Sequence, residues 1–219
     1  MDLSERPVGE QVAALEVAGP LREPLRGRFV TLEPIDPDRH VAGLFDAGHG
    51  SAAADALWTY LPYGPFANLD AMRTWLRALP GSDDPLFFAV VRDGSPVGMT
   101  SFLNVDTAMR RLELGHIWFG PAAQRTEANT EAAFLMLDRT FGAGYRRVEW
   151  KCDALNARSR AAAERLGFTF EGVFRRHMIV KGRNRDTAWF SIVEEEWPLV
   201  RARLAAWLDA RRAEEDRRR

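Results

Sequence analysis

Apolar positions in this chain gather either in short dense runs or at helical spacing, and the two patterns predict strands and helices respectively. RFVTLEPI (28–35) mixes β-branched and aromatic residues and stops at Pro37, predicting a first strand. Asp36 or Asp38 then caps a helix whose Val41, Leu44 and Phe45 recur at helical spacing. LWTYLPYGPF (57–66) is broken by Pro62, Gly64 and Pro65, so it reads as a loop carrying large rings. Asn68 caps a second helix with an apolar face of Leu69, Met72, Trp75, Leu76 and Leu79, ended by Pro80-Gly81. LFFAVV (86–91) is continuously apolar, as in a strand covered on both sides. RDGS (92–95) signals a hairpin that returns through PVGMTSFLNV (96–105), and RLELGHIWF (111–119) completes an antiparallel meander.

The second half alternates more evenly. Residues 127–141 form a helix apolar through its middle, RRVEWKC (146–152) a strand, and 156–168 an alanine-rich helix closed by Gly167. Two strands follow around a Gly-Arg-Asn-Arg turn. A terminal helix from near Glu196 buries Trp197, Val200, Leu204, Trp207 and Leu208 before the charged RRAEEDRRR leaves the surface. The order predicts one α+β domain over 26–198 with a mixed sheet. Residues 1–25, polar and punctuated by prolines, read as a leader, and 199–219 as an amphipathic helix and charged tail.

Composition narrows the function classes. With a net charge of −1, no bulk field favours nucleic acid or an anionic membrane. A single cysteine, Cys152, excludes an intrachain disulfide and a cysteine-based zinc site, which fits a reducing compartment. The N-terminal stretch carries acids from residue 2 and lacks the apolar core of a secretory signal, and no apolar run reaches membrane-spanning length, so the expected location is the cytoplasm.

One stretch, KCDALNARSRAAAERLGFTFEGVFRRHM (151–178), carries an ordered set: Asn156-x-x-Ser159, Arg165-Leu166-Gly167-Phe168, Glu171-Gly172 and Arg175. With the strand-loop-helix of 111–137 and the closing RDTAWFSIVEEEW (185–197), it resembles the Gcn5-related N-acetyltransferases, most of all their Rim-type ribosomal-protein branch, over roughly residues 26–195. The resemblance implies a mostly antiparallel sheet of about seven strands, splayed between 111–119 and 146–152, with helices on both faces. It also implies acetyl transfer from acetyl-CoA to an amine without a metal. Pantetheine would pair with strand backbone at Trp118 and Phe119, and Asn156, Arg158 and Ser159 would meet the cofactor from the other side.

The family's phosphate loop is Gln/Arg-x-x-Gly-x-Gly/Ala. Here Gln124 holds the first position, and Glu127 and Asn129 stand where glycines are expected. Free amides at a helix N-terminus do not require glycine, so Gln124, Arg125, Thr126, Glu127, Ala128, Asn129 and Thr130 remain the pyrophosphate candidates. Asn129 would tolerate left-handed backbone. Glu127 would repel a phosphate if it pointed inward, and would be harmless if it faced solvent balanced by Arg125 and Arg158 or Arg160. The inward case leaves a non-catalytic or weakly binding module as the rival reading.

Among catalytic candidates, Ser159 is placed by the resemblance to protonate the departing CoA sulfur, or else only bonds local backbone. Glu113 is the candidate base: strict alternation sets it on one face with Gly115 and Ile117, the glycine leaving room beside the carboxylate. The alternative is a solvent-facing glutamate paired with an arginine. His116 faces the other way unless a bulge reverses the phase. Asp153 would bind a cationic amine or cap a turn, and Trp58 and Tyr63, with Tyr60, Phe66 and the region near Met178, would wall the acceptor site or seal the core. Cys152 reads as a small buried hydrophobe, favouring direct transfer over an acyl-enzyme. The acceptor is a protein N-terminus or a small-molecule amine, and a homodimer is compatible with the sequence.

Overall fold

The computed structural model describes residues 6–79 and 81–218. Eight strands make one sheet in the order β1-β2-β3-β4-β5-β6-β8-β7. They are β1 (Leu25–Arg26), β2 (Thr31–Pro34), β3 (Leu86–Arg92), β4 (Ser95–Asp106), β5 (Arg111–Phe119), β6 (Arg147–Asp153), β7 (Thr169–Val180) and β8 (Arg183–Val193). All neighbours are antiparallel except β5 and β6. Helices α1 (Pro37–Gly48), α2 (Ala52–Asp55) and α3 (Leu69–Arg77) precede β3, and α4 (Ala128–Gly142), α5 (Ala157–Leu166) and α6 (Trp197–Arg218) follow β5, β6 and β8.

The local signals act as their chemistry requires. Asp36 accepts from the amides of Asp38 and Arg39, and Asn68 from that of Ala71, so each acid or amide opens its helix. Asp93 and Gly94, at φ 50° and 77°, turn the β3–β4 hairpin, and Gly167 closes α5 at φ 104°. The strand β3 is the hinge of two cores. Leu86, Phe88 and Val90 join the cluster under α4, α5 and α6, whereas Phe87, Ala89 and Val91 join the one under α1 and α3. That double coverage is why 86–91 reads as an unbroken apolar run.

Departures have local causes. The first strand shrinks to Thr31–Pro34 because the amides of Arg28, Phe29 and Val30 bond the buried Glu131 carboxylate at 2.7, 2.6 and 2.7 Å rather than a neighbouring strand. The two-residue β1 is too short to leave a pattern. The last hairpin turns at Lys181-Gly182 (φ 49° and 72°), and Arg183, Asn184 and Arg185 belong to β8. The loop at 57–66 begins in helical geometry, since α2 runs into a 3-10 turn at Ala56–Thr59. The α6 helix continues through the charged terminus instead of ending before it. Trp207 is half-buried, while Trp197, Val200, Leu204 and Leu208 are core. Pro80, expected to stop α3, lies outside the described residues.

Candidate active site

The site begins as a failure of strand pairing. β5 pairs with β6 only from Arg111–Arg147 to Leu114–Trp150, after which β6 follows β8 alone, as far as Asp153 opposite Thr187. From Gly115 to Phe119 the β5 edge facing β6 has no strand partner, so its backbone groups, apart from the Phe119 carbonyl that accepts from Gln124, are available to an extended ligand. An open cleft of about 930 Å³ lies over this gap. Ile117, Trp118 and Phe119 form one wall, Asn156, Ser159 and Ala162 the other, and Trp150 belongs to its lining between them.

At one end the cleft meets the loop before α4. Gln124, Arg125, Thr126 and Asn129 line it, with Arg158 and Arg165 across from them. The left-handed residue is Arg125 (φ 61°), not Asn129, which sits inside α4. Gln124 folds back to donate to the Phe119 carbonyl at 2.9 Å, and Thr126 accepts from the Ala128 amide at 3.3 Å. The side chains of Ala128 and Thr130 are buried, the latter accepting from Arg165 at 2.7 Å, so neither side chain is presented to a ligand. Glu127 does not line the cleft; its carboxylate turns to Arg92 at 3.8 Å. The balancing cation is thus on the β3–β4 hairpin rather than Arg125, Arg158 or Arg160. What remains at this end is a helix N-terminus, with its partial positive charge and the first-turn amides of Asn129 and Thr130, ringed by guanidinium groups.

Ser159 occupies the far wall. Its amide donates to the Asn156 side chain at 3.1 Å, fixing the start of α5, and its hydroxyl accepts from the Trp150 indole at 3.0 Å. An oxygen that accepts from an N–H keeps its own proton free to donate. Cys152 lies beside it, its thiol pushed up by burial, and so behaves as a buried apolar residue.

The other face of the gap is set by a bulge. Ser101 opposes Gly115 but Met99 opposes Trp118, so β5 carries one extra residue there, and His116 adopts φ 52°. The phase reverses after it. Ile117 crosses to the α4 face, while His116 joins the face of Glu113, stacking on Tyr63 at 5.6 Å. Strict alternation had set these two the other way round. Burial, reinforced by the Arg185 charge, pulls His116 down to about 4, so its ring is neutral near pH 7.

Glu113 is buried and faces neither solvent nor an arginine. Its Oε2 receives the Lys151 ammonium at 2.6 Å and the Asn104 amide at 2.7 Å. Oε1 lies on the Gly115 side, 3.5 Å from where a Cβ of that glycine would stand. Burial raises its pKa, opposed by Lys151. Asp153 bonds the Leu155 amide at 2.9 Å and closes the turn after β6. Trp58 is core, its indole donating to the Gly48 carbonyl at 2.8 Å, and Tyr63 packs on Trp75 at 4.2 Å with a buried hydroxyl. The called residues therefore divide. Trp118, Phe119, Gln124, Arg125, Thr126, Asn129, Asn156, Arg158 and Ser159 meet in one cleft, whereas Glu113, Tyr63, Trp58 and Asp153 do not line it.

Sequence reasoning set Tyr60 in the acceptor wall or the core seal, and missed three further contributors, Thr59, Lys181 and Trp207. Tyr60 and Thr59 line the cleft, and the Tyr60 hydroxyl reaches the Leu155 carbonyl at 3.3 Å across it. Lys181, at the β7–β8 tip, ties down the aromatic loop through the carbonyls of Trp58 and Gly64 at 2.7 and 2.6 Å. Trp207 lines the cleft from α6. Of the three, Thr59 alone carried a signal, its place in the ring-bearing loop 57–66.

Known proteins share this arrangement. A family model described as an acetyltransferase (GNAT) domain matches residues 30–169. A GCN5-related N-acetyltransferase from Brucella melitensis is 44% identical, with a TM-score of 0.85 over 88% of each chain. Mycobacterium smegmatis RimJ, solved in complex with CoA-disulfide, is 26% identical with a TM-score of 0.64, covering 81% of this chain and 88% of that one. The candidate ribosomal N-acetyltransferase YdaF of Bacillus subtilis (strain 168) is 32% identical over 106 residues, a match spanning 48% of this chain and 57% of YdaF. The motif set read from residues 151–178 and the splayed sheet thus have one explanation: the chain belongs to the GNAT acetyltransferase family.

Proposed function

We propose that the protein transfers acetyl directly from acetyl-CoA to a primary amine, either a protein N-terminus or a small-molecule amine, in the cytoplasm. The observation that carries this reading is the unpaired β5 edge beneath a cleft that ends at the N-terminus of α4. The residues fit the co-substrate: β5 backbone for the pantetheine amides, α4 amides with Arg125 and Arg158 for the pyrophosphate, and Ser159 for the sulfur. CoA-disulfide in the RimJ complex is the same class of ligand. Among the described residues no group of three or more His, Cys, Asp and Glu side chains is placed to hold a metal ion.

The amine nitrogen attacks the thioester carbonyl carbon, a C–N bond forms and the C–S bond breaks. The proton lost by the amine balances the one gained by the thiolate. Ser159 gives its hydroxyl proton to the sulfur, and Glu113, through Oε1 beside Gly115, draws the amine's proton by way of water. Neutral His116 adds no positive charge to repel an approaching ammonium. The rival, a non-catalytic module, drew its support from Glu127, and a carboxylate directed at Arg92 no longer supplies it.

Thiol release from acetyl-CoA, measured with simple amines and with short peptides bearing free N-termini, tests the reading. At least one class should accelerate release well above hydrolysis. Acceleration by neither, at saturating acetyl-CoA, would overturn it.

A further inference from the structure

α6 runs antiparallel to α4. Trp197 stacks on Phe141 at 5.1 Å, Arg201 pairs with Asp138 at 2.6 Å, and Asp209 pairs with Arg28, whose own amide is held by Glu131 of α4's first turn at 2.7 Å. Positions 197, 201 and 209 therefore step along α4 toward its N-terminus, the end where phosphate would sit. Leu204 and Leu208 are buried and fix the rotation of the helix. Trp207 is consequently turned off the core stripe and into the cleft, whose lining it shares with Asn129, Arg125 and Arg165. One turn on, the Arg211 guanidinium lies 5.1 Å over its ring, and one turn back Arg203 donates to the Arg165 carbonyl at 3.3 Å.

A half-exposed indole at the phosphate end of a cleft is a flat apolar surface within reach of whatever follows the pyrophosphate. We propose that Trp207, backed by Arg211, is the platform on which the adenine ring of the acyl donor stacks. The site therefore selects its donor as a nucleotide thioester over the same acyl group on a bare pantetheine arm. This rests on the cofactor reading above. The family model ends at residue 169, so the platform belongs to a helix beyond the matched span.

Isothermal titration of the full chain with CoA, and separately with adenosine 3′,5′-bisphosphate, tests it. Trp207→Ala should weaken both by about tenfold, the range of one base–aromatic stack. Trp207→Phe should recover most of that loss, and the ligand-free thermal midpoint should hold in both variants. Unchanged CoA affinity in Trp207→Ala would overturn the platform. So would weakening confined to CoA and absent for the bisphosphate, or a loss accompanied by a fallen midpoint and not rescued by phenylalanine. If the wild-type chain itself binds no CoA, the cofactor reading fails, a result distinct from any of these.

Discussion

The two faces of the β5–β6 gap are made of opposite materials. On the α4–α5 side the cleft is open, bordered by backbone amides, arginines and the small side chains Ala157, Ala161 and Ala162. On the other side rings fill the space, with Tyr63 against His116 at 5.6 Å and Trp58 against Trp118 at 5.1 Å. The loop bearing them is tied by Lys181 at one point and by Tyr60 at another. Under the proposed function the donor side is open as it stands, whereas the acceptor side is filled by a loop held by buried ring packing as well as by these polar ties, and an acceptor would have to displace part of it.

Substitutions can break or sharpen that contrast. The largest effect belongs to Ser159→Ala, which should lower kcat about a hundredfold or more while leaving CoA affinity within a few-fold, as read by thiol release and titration. A parallel loss of CoA binding would make Ser159 a wall rather than an acid.

Next is the anchor of the donor side. Glu131→Ala strands the amides of Arg28, Phe29 and Val30 and should reduce folding stability by about 3 kcal/mol in urea unfolding. A loss below about 1 kcal/mol would show that water replaces the carboxylate readily.

Glu113→Gln should slow turnover about tenfold and reshape its pH profile. The base works ionised, and burial holds its pKa above the ordinary 4.5, so wild-type kcat/KM falls as pH drops through that raised value. In the glutamine variant this acid limb should vanish. Its persistence would assign the limb to another group.

A smaller, one-sided change is expected from Lys181→Met. Freed from its two carbonyl contacts, the aromatic loop should shift acceptor KM several-fold and leave acetyl-CoA KM alone. Equal shifts in both would erase the contrast between the faces. The smallest effect is Glu127→Gln: with the carboxylate already directed at Arg92, CoA affinity should change less than about twofold by titration. A large gain would mean the acid does face the phosphates.

What the sequence disclosed follows the same division. The donor side is built from neighbours in the chain: the run after Gly120, the start of α5 at Asn156 and Ser159, and the αL stop at Gly167. Signals of that kind are local, so they survive in a string of letters. The bulge at His116 is a mismatch between β4 and β5, visible only once Met99 and Ser101 have chosen partners. The hold of Glu131 on residues 28–30, like that of Arg92 on Glu127, spans distant segments that no periodicity connects. Trp207 satisfied the helical spacing of a core position, and only the rotation fixed by Leu204 and Leu208 turns it into the cleft. Glu113 drew attention as a strand carboxylate beside a glycine, but its cation is a lysine from β6, unpredictable without the parallel register.

A crystal structure of the protein grown with CoA tests most directly whether the unpaired β5 edge is where the carrier binds. The pantetheine amides should bond the backbone between Gly115 and Phe119, with the sulfur within hydrogen-bonding reach of the Ser159 hydroxyl. CoA seated elsewhere, with that edge still facing water, would contradict the account.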